Sequence, residues 1–141
     1  MRYFFTDTSL LALVVDKQNK KIIRINNQGL EEKINALLLN NTSEKIQLPV
    51  LYDLYKMLWE PLLPFIQNKK VTIIPDGVLY SLSFEMLAVK PVASYKDLVA
   101  NSLLSGYTFS YHYSLFMLGQ TPDAGNAKEN MWHSPRVFLM K

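Results

Sequence analysis

The sequence predicts an α/β domain, and three observations carry that prediction. Residues 10–15 form an uninterrupted apolar run, and after a polar turn Ile22, Ile23 and Ile25 resume around Arg24, the pattern of a β-hairpin. Residues 48–68 are the longest periodic segment, with Leu51, Leu54, Tyr55, Leu58, Leu62 and Phe65 at helical spacing. Residues 71–74 then make a short, mostly apolar run that ends in Pro75-Asp76-Gly77, the shape of a strand in the middle of a parallel sheet.

The bulk properties fit such a fold. Apolar residues make up 49% of the 141 positions and charged residues 19%, which suits a globular core rather than a disordered chain. The longest apolar run is strand-sized, too short to cross a bilayer. The first residues hold one basic residue, also Asp7, and no small-residue cleavage site, which argues against a signal peptide. A soluble, cytoplasmic protein is expected, with no membrane partner.

Taken in order, residues 10–15 suit a strand covered on both faces, because nothing polar interrupts them. Asp16 to Lys20 form the polar turn, and Gly29 breaks the strand that follows. Next comes a helix with Glu31 and Glu32 in its first turn, where carboxylates complement the helix dipole, and with Leu30, Ile34, Leu37 and Leu38 on one stripe. Residues 40–43 are a loop.

In the long periodic segment Asp53, Lys56 and Glu60 fall opposite the apolar stripe, so the helix is amphipathic and its stripe is read as core. Pro61 lacks an N–H and should kink the helix or start a new one at Glu60. The turn at Pro75-Asp76-Gly77 follows from the fixed φ of proline and the turn tolerance of Asp and Gly. Residues 94–99 read as a weak helical turn. From Tyr107 the pattern alternates: Tyr107, Phe109, Tyr111 and Tyr113 share one strand face, and Thr108, Ser110, His112 and Ser114 the other. A helical turn over residues 115–118 is expected next, then a polar stretch and a strand-like stub ending at Lys141.

Several features invite a chemical reading. Asp76 could act as a general base or metal ligand, with Glu85 as its partner in a carboxylate dyad. An aspartate beside glycine in a turn more often caps backbone, and Glu85 suits a helix first turn, so both are read as structural. His112 could pair with Ser110 or Ser114, but no nucleophile-elbow motif is present. The tyrosine face could stack bases, yet it has no basic residues among its rings, and a packed sheet face is the reading taken. Lys17, Lys20, Lys21 and Arg24 form the densest basic group, without a nucleic-acid motif around them. No phosphate loop, dinucleotide fingerprint or metal motif appears, and the chain has no cysteine and two histidines, His112 and His133. No cofactor, metal or nucleic-acid partner is expected.

The order of Leu54, Tyr55, Leu58, Pro61, Leu62, Ile73, Ile74, Pro75, Asp76, Gly77, Ser83, Phe84, Glu85 and Leu87, followed by Tyr111, Ser114 and Leu118, resembles the amino-terminal half of a CHAT domain, the caspase-like domain associated with tetratricopeptide repeats. The resemblance covers about residues 51–118. It implies a caspase/hemoglobinase-like three-layer α/β sandwich, with a mostly parallel sheet and helices on both sides, here incomplete and preceded by the amino-terminal hairpin. It implies descent from a cysteine endopeptidase whose catalytic His-Gly and cysteine lie downstream of the matched region. Neither motif occurs in this chain, and His133, followed by Ser and Pro, does not match. The expectation is therefore an amino-terminal portion over residues 1–119 and a polar loop with a strand stub over residues 120–141, itself without peptidase activity. Pro75, Asp76, Gly77, Phe84 and Glu85 are expected to be scaffold. The expected partners are proteins: the remainder of the domain, tetratricopeptide repeats, or a protein substrate. A non-catalytic interaction module using an exposed sheet edge is the alternative.

Overall fold

The computed structural model describes residues 1–39 and 43–114. Strands β1 (Arg2–Phe5), β2 (Leu10–Val15) and β3 (Lys20–Ile25) form an antiparallel meander. Strands β4 (Lys70–Ile73) and β5 (Thr108–Tyr111) pair in parallel. A parallel bridge between Arg2 and Ile74 joins the two sets. Across it, the Tyr3 amide donates to the Ile74 carbonyl at 2.9 Å and the Ile74 amide to the Met1 carbonyl at 2.9 Å. Read across this seam, the strands line up β3-β2-β1-β4-β5, and β4 lies between two parallel neighbours, as its sequence suggested.

The sheet is mixed α/β rather than mostly parallel, since β1–β2 and β2–β3 are both antiparallel. The cause is β1, which the sequence pattern did not disclose. Four residues at the chain start are too few to show a period, and a tight connection returns the chain beside itself. There Thr6 Oγ1 donates to the Ser9 carbonyl and accepts from the Ser9 amide, at 3.0 and 3.1 Å.

Register places Tyr3, Ala12 and Ile23 side by side, with Leu10, Val14 and Ile25 on the same face. That face is one contiguous core with Val71 and Ile73 and with every buried residue of the helices. Helix α1 (Leu30–Leu38) contributes Leu30 and Ile34. Leu37 packs against the core, but Leu38 is turned out to 51% exposure, so the stripe is narrower than its leucines suggested. Helix α2 (Glu44–Leu58) contributes Leu48, Leu51, Leu54, Tyr55 and Leu58. It begins before Leu48, with Pro49 inside it, where proline forgoes only one ladder bond near the solvent-facing start. It stops at Leu58, and a 3-10 turn over Glu60–Phe65 takes over with Pro61 at its start. Helix α3 (Tyr95–Ala100) is short and capped by Ser94, whose hydroxyl accepts from the Asp97 amide at 3.2 Å.

The opposite face carries Arg2, Phe4, Leu11, Leu13, Val15, Ile22 and Arg24, none of which belongs to that core. Strand β2 is accordingly buried at Leu10, Ala12 and Val14 but only half-buried at Leu11 and Leu13, and exposed at Val15. The expected burial on both faces does not hold. Among the described residues the helices pack on one face and make two layers with the sheet; the sandwich expected from the sequence was three-layered but incomplete. The turn at 115–118 and the segment 120–141 lie outside the described residues.

Candidate functional site

The end of β4 meets the start of β1 at the Arg2–Ile74 bridge, and the residues that follow run on beside β1 to its end at Phe5. The carboxyl ends of strands are where open α/β sheets commonly carry ligands. Pro75 is buried directly after Ile74 and directs the chain out of the sheet. Asp76 then turns back: its Oδ2 accepts the Phe5 amide at 2.8 Å, closing the last open donor on that edge of β1. The turn aspartate thus caps a strand far away in sequence rather than its own turn. Gly77 has φ of +53°, a left-handed backbone that side chains disfavour. A Cβ there would sit 3.1 Å from the Phe5 ring.

A 3-10 turn over Gly77–Ser81 and another over Phe84–Met86 bring the chain back under the sheet. Phe84 is fully buried and stacks on Tyr3 with ring centroids 5.2 Å apart. The Tyr3 hydroxyl, itself buried, donates to the Leu58 carbonyl at 2.8 Å and so ties β1 to the end of α2. Burial holds the Tyr3 phenol well above its ordinary pKa, and the nearby Tyr111 adds to this.

Glu85 does not meet Asp76. Its carboxylate accepts the Tyr111 hydroxyl, and the same hydroxyl accepts the Phe84 amide at 3.0 Å. The Tyr111 phenol is raised above its ordinary value, first by burial and then by the hydrogen bond to Glu85. Asp76 and Glu85 each brace a different strand, and the dyad reading has no geometric support. Of the five motif residues, Pro75 and Phe84 are buried, Gly77 makes the left-handed turn, and Asp76 and Glu85 accept from Phe5 and Tyr111.

The tyrosine face is engaged residue by residue. Tyr107 and Phe109 meet the buried Trp59 edge-on, at 5.2 and 5.5 Å. Tyr113 stacks on Tyr80 at 6.2 Å, both substantially exposed. On the other face Ser110 Oγ lies 2.8 Å from Thr72 Oγ1, and the His112 amide donates to the Ile73 carbonyl at 3.0 Å. Ser110 is thus held by Thr72, and His133 lies outside the described residues. Among the basic residues, the Lys21 ammonium sits 5.8 Å over the Phe65 ring. The hairpin turn is organised by Asp16, whose Oδ1 accepts the Gln18 and Asn19 amides at 2.7 and 2.6 Å, bonds that lower its pKa.

A cleft of about 540 Å³ opens beside the motif, lined by Phe5, Asn27, Glu31, Glu32, Asp76 and Gly77 among others. Its carboxylates come with neither a base nor a cation facing them, and no group of three His, Cys, Asp or Glu among the described residues could hold a metal ion. No helix among the described residues is long and apolar enough to cross a membrane. The Tyr3–Leu58 and Tyr111–Glu85 ties escaped sequence reasoning, because each joins elements distant in the chain.

Compared with known proteins, the chain matches no family model, no curated protein and no solved structure. The resemblance to CHAT domains therefore rests on the residues quoted for it.

Proposed function

We propose that this chain is the amino-terminal scaffold of a CHAT-type, caspase-like domain, carrying no catalytic group of its own. The observation that supports this reading is the run of parallel strands β1-β4-β5, with β4 central and the motif Pro75-Asp76-Gly77 serving to fasten β1. In such a domain the nucleophile and its histidine would belong to later strands. This portion would hold the sheet on which they are mounted, and its partners would be proteins. The test is to read the genomic sequence following the codon for Lys141 in all frames. A His-Gly pair followed further on by a cysteine after an apolar strand is the expected result. A stop followed by sequence with neither feature would refute the reading.

A second reading is a non-catalytic interaction module. It is favoured by the outer edge of β5, which has no neighbouring strand among the described residues and exposes Thr108 and Ser110. Such an edge can accept an extended segment from another protein. This reading expects the purified chain to melt in a single cooperative transition as a monomer. A broad, non-cooperative melt with aggregation would count against it.

A further inference from the structure

The sheet face opposite the core has an unusual charge pattern. Its strand positions include Arg2, Lys20, Arg24 and Lys70, all exposed, around a middle of Phe4, Leu11, Leu13, Val15 and Ile22. No strand of the sheet contains an aspartate or glutamate. None of the four cations takes part in an ion pair among the described residues, where the ion pairs join Asp53 to Lys33 and Lys56. Ile22 is 61% exposed and Val15 46%, although both lie in strands of an otherwise well-packed hairpin. Ile74 is buried at the β4 side of the face, so the open part lies over the hairpin. A groove of about 570 Å³ opens onto its rim, lined in part by Arg2, Leu13, Val15, Lys20 and Lys70, with one carboxylate, Asp16, whose Oδ1 is taken up by the amides of its own turn.

From this arrangement we infer that the hairpin face is a docking surface for an amphipathic helix of another protein, apolar on one side and flanked by carboxylates. An apolar sheet face is buried against another layer, for which a helix is a common solution, and opposite charges around an apolar centre set register and specificity. Charge disfavours the other occupants. A second copy of this chain would place the four cations against four more. The chain's own residues 115–141 carry Asp123 and Glu129 against Lys128, Arg136 and Lys141, and so offer no acidic complement. Nucleic acid would meet a single aromatic, Phe4, half-buried, in place of a stacking platform. The inference does not rest on the β5 edge or on the caspase-like reading, under which the covering helix would come from the rest of the same domain.

The test titrates the full chain with a labelled helical peptide of about 18 residues, leucines on one stripe and glutamates beside them. A matched peptide with lysines for glutamates and a single-stranded RNA serve as comparisons. Saturable binding of the glutamate peptide is expected, weakened about tenfold or more by Ile22→Glu, by Arg24→Glu and by added salt. Lys17→Glu, in the hairpin turn off the face, should leave it nearly unchanged. Both face positions are exposed, and a thermal melt verifies that the variants fold. Equal affinity for the two peptides, indifference to Ile22→Glu, or tighter binding of the RNA would overturn the proposal. So would sedimentation showing self-association lost in Ile22→Glu, or nuclear Overhauser contacts between Ile22 and residues 115–141 in the unliganded chain.

Discussion

Phe84→Ala tests the assignment of the Ser83-Phe84-Glu85 turn most directly. Phe84 is fully buried, and its ring stacks on Tyr3, which is equally buried and holds the end of α2. Truncation removes the transfer free energy of the ring and leaves a cavity that the sheet above cannot collapse to fill. The expected loss is about 3–5 kcal/mol. Within it, the stacking with Tyr3 accounts for about 0.5–1.5 kcal/mol. At this chain length each kcal/mol moves the melting temperature by ~3 °C, so the variant should melt about 10–15 °C lower. The assay is urea unfolding of the full chain followed by tryptophan fluorescence, for which the buried Trp59 is a built-in reporter. A double-mutant cycle with Tyr3→Leu isolates the ring–ring contribution. A loss below about 1 kcal/mol, or no coupling between the two positions, would show that Phe84 does not anchor the turn to β1.

Three further outcomes follow from the same region. Gly77→Ala should cost about 1–2 kcal/mol in urea unfolding, because alanine resists a φ of +53° and its methyl meets the Phe5 ring. Asp76→Ala should cost about 1–2 kcal/mol by releasing the Phe5 amide, whereas Asp76→Asn, which keeps an acceptor, should lose less; equal losses would show that the bond to Phe5 is not what matters. The third concerns alkali. Tyr111 and Tyr3 both have pKa values raised above 10.0, so the unfolded chain loses these protons before the folded one does. Their contribution is complete below pH 10 and declines as pH rises beyond it. Melting temperatures taken from about pH 8 to pH 11 should fall at the alkaline end, and Tyr111→Phe should flatten part of that fall while Tyr3 retains the rest. An identical alkaline profile in Tyr111→Phe would remove Tyr111 from this account.

What was legible in the sequence depended on local periodicity. The hairpin of β2 and β3, both main helices, the break at Pro61 and the strand before Pro75 each lie within a window where apolar spacing has one good solution. At the candidate site, Asp76, Gly77, Phe84 and Glu85 were legible as residue types suited to a turn and an anchor, whereas their partners Phe5, Tyr3 and Tyr111 were not. The errors share a cause. β1 is too short to show a period, and its position next to β4 depends on hydrogen bonds across some seventy residues of chain. Leu38 and Val15 look like core in the sequence, because a stripe reveals which residues are apolar but not how wide a surface awaits them.

The sequence by itself determined the hairpin of β2 and β3, the apolar stripes of the main helices, the strand before Pro75 and the absence of a thiol in this chain, because these depend on residue identity and neighbours a few positions away. Tertiary structure alone decided that Asp76 fastens β1, that Glu85 and Tyr111 hold each other, and that the sheet buries one face among the described residues while its cations gather on the other. Those outcomes belong to strand order and register, which are set when distant segments compete to bury apolar surface and to satisfy their backbone donors, a competition that no local stretch of sequence records.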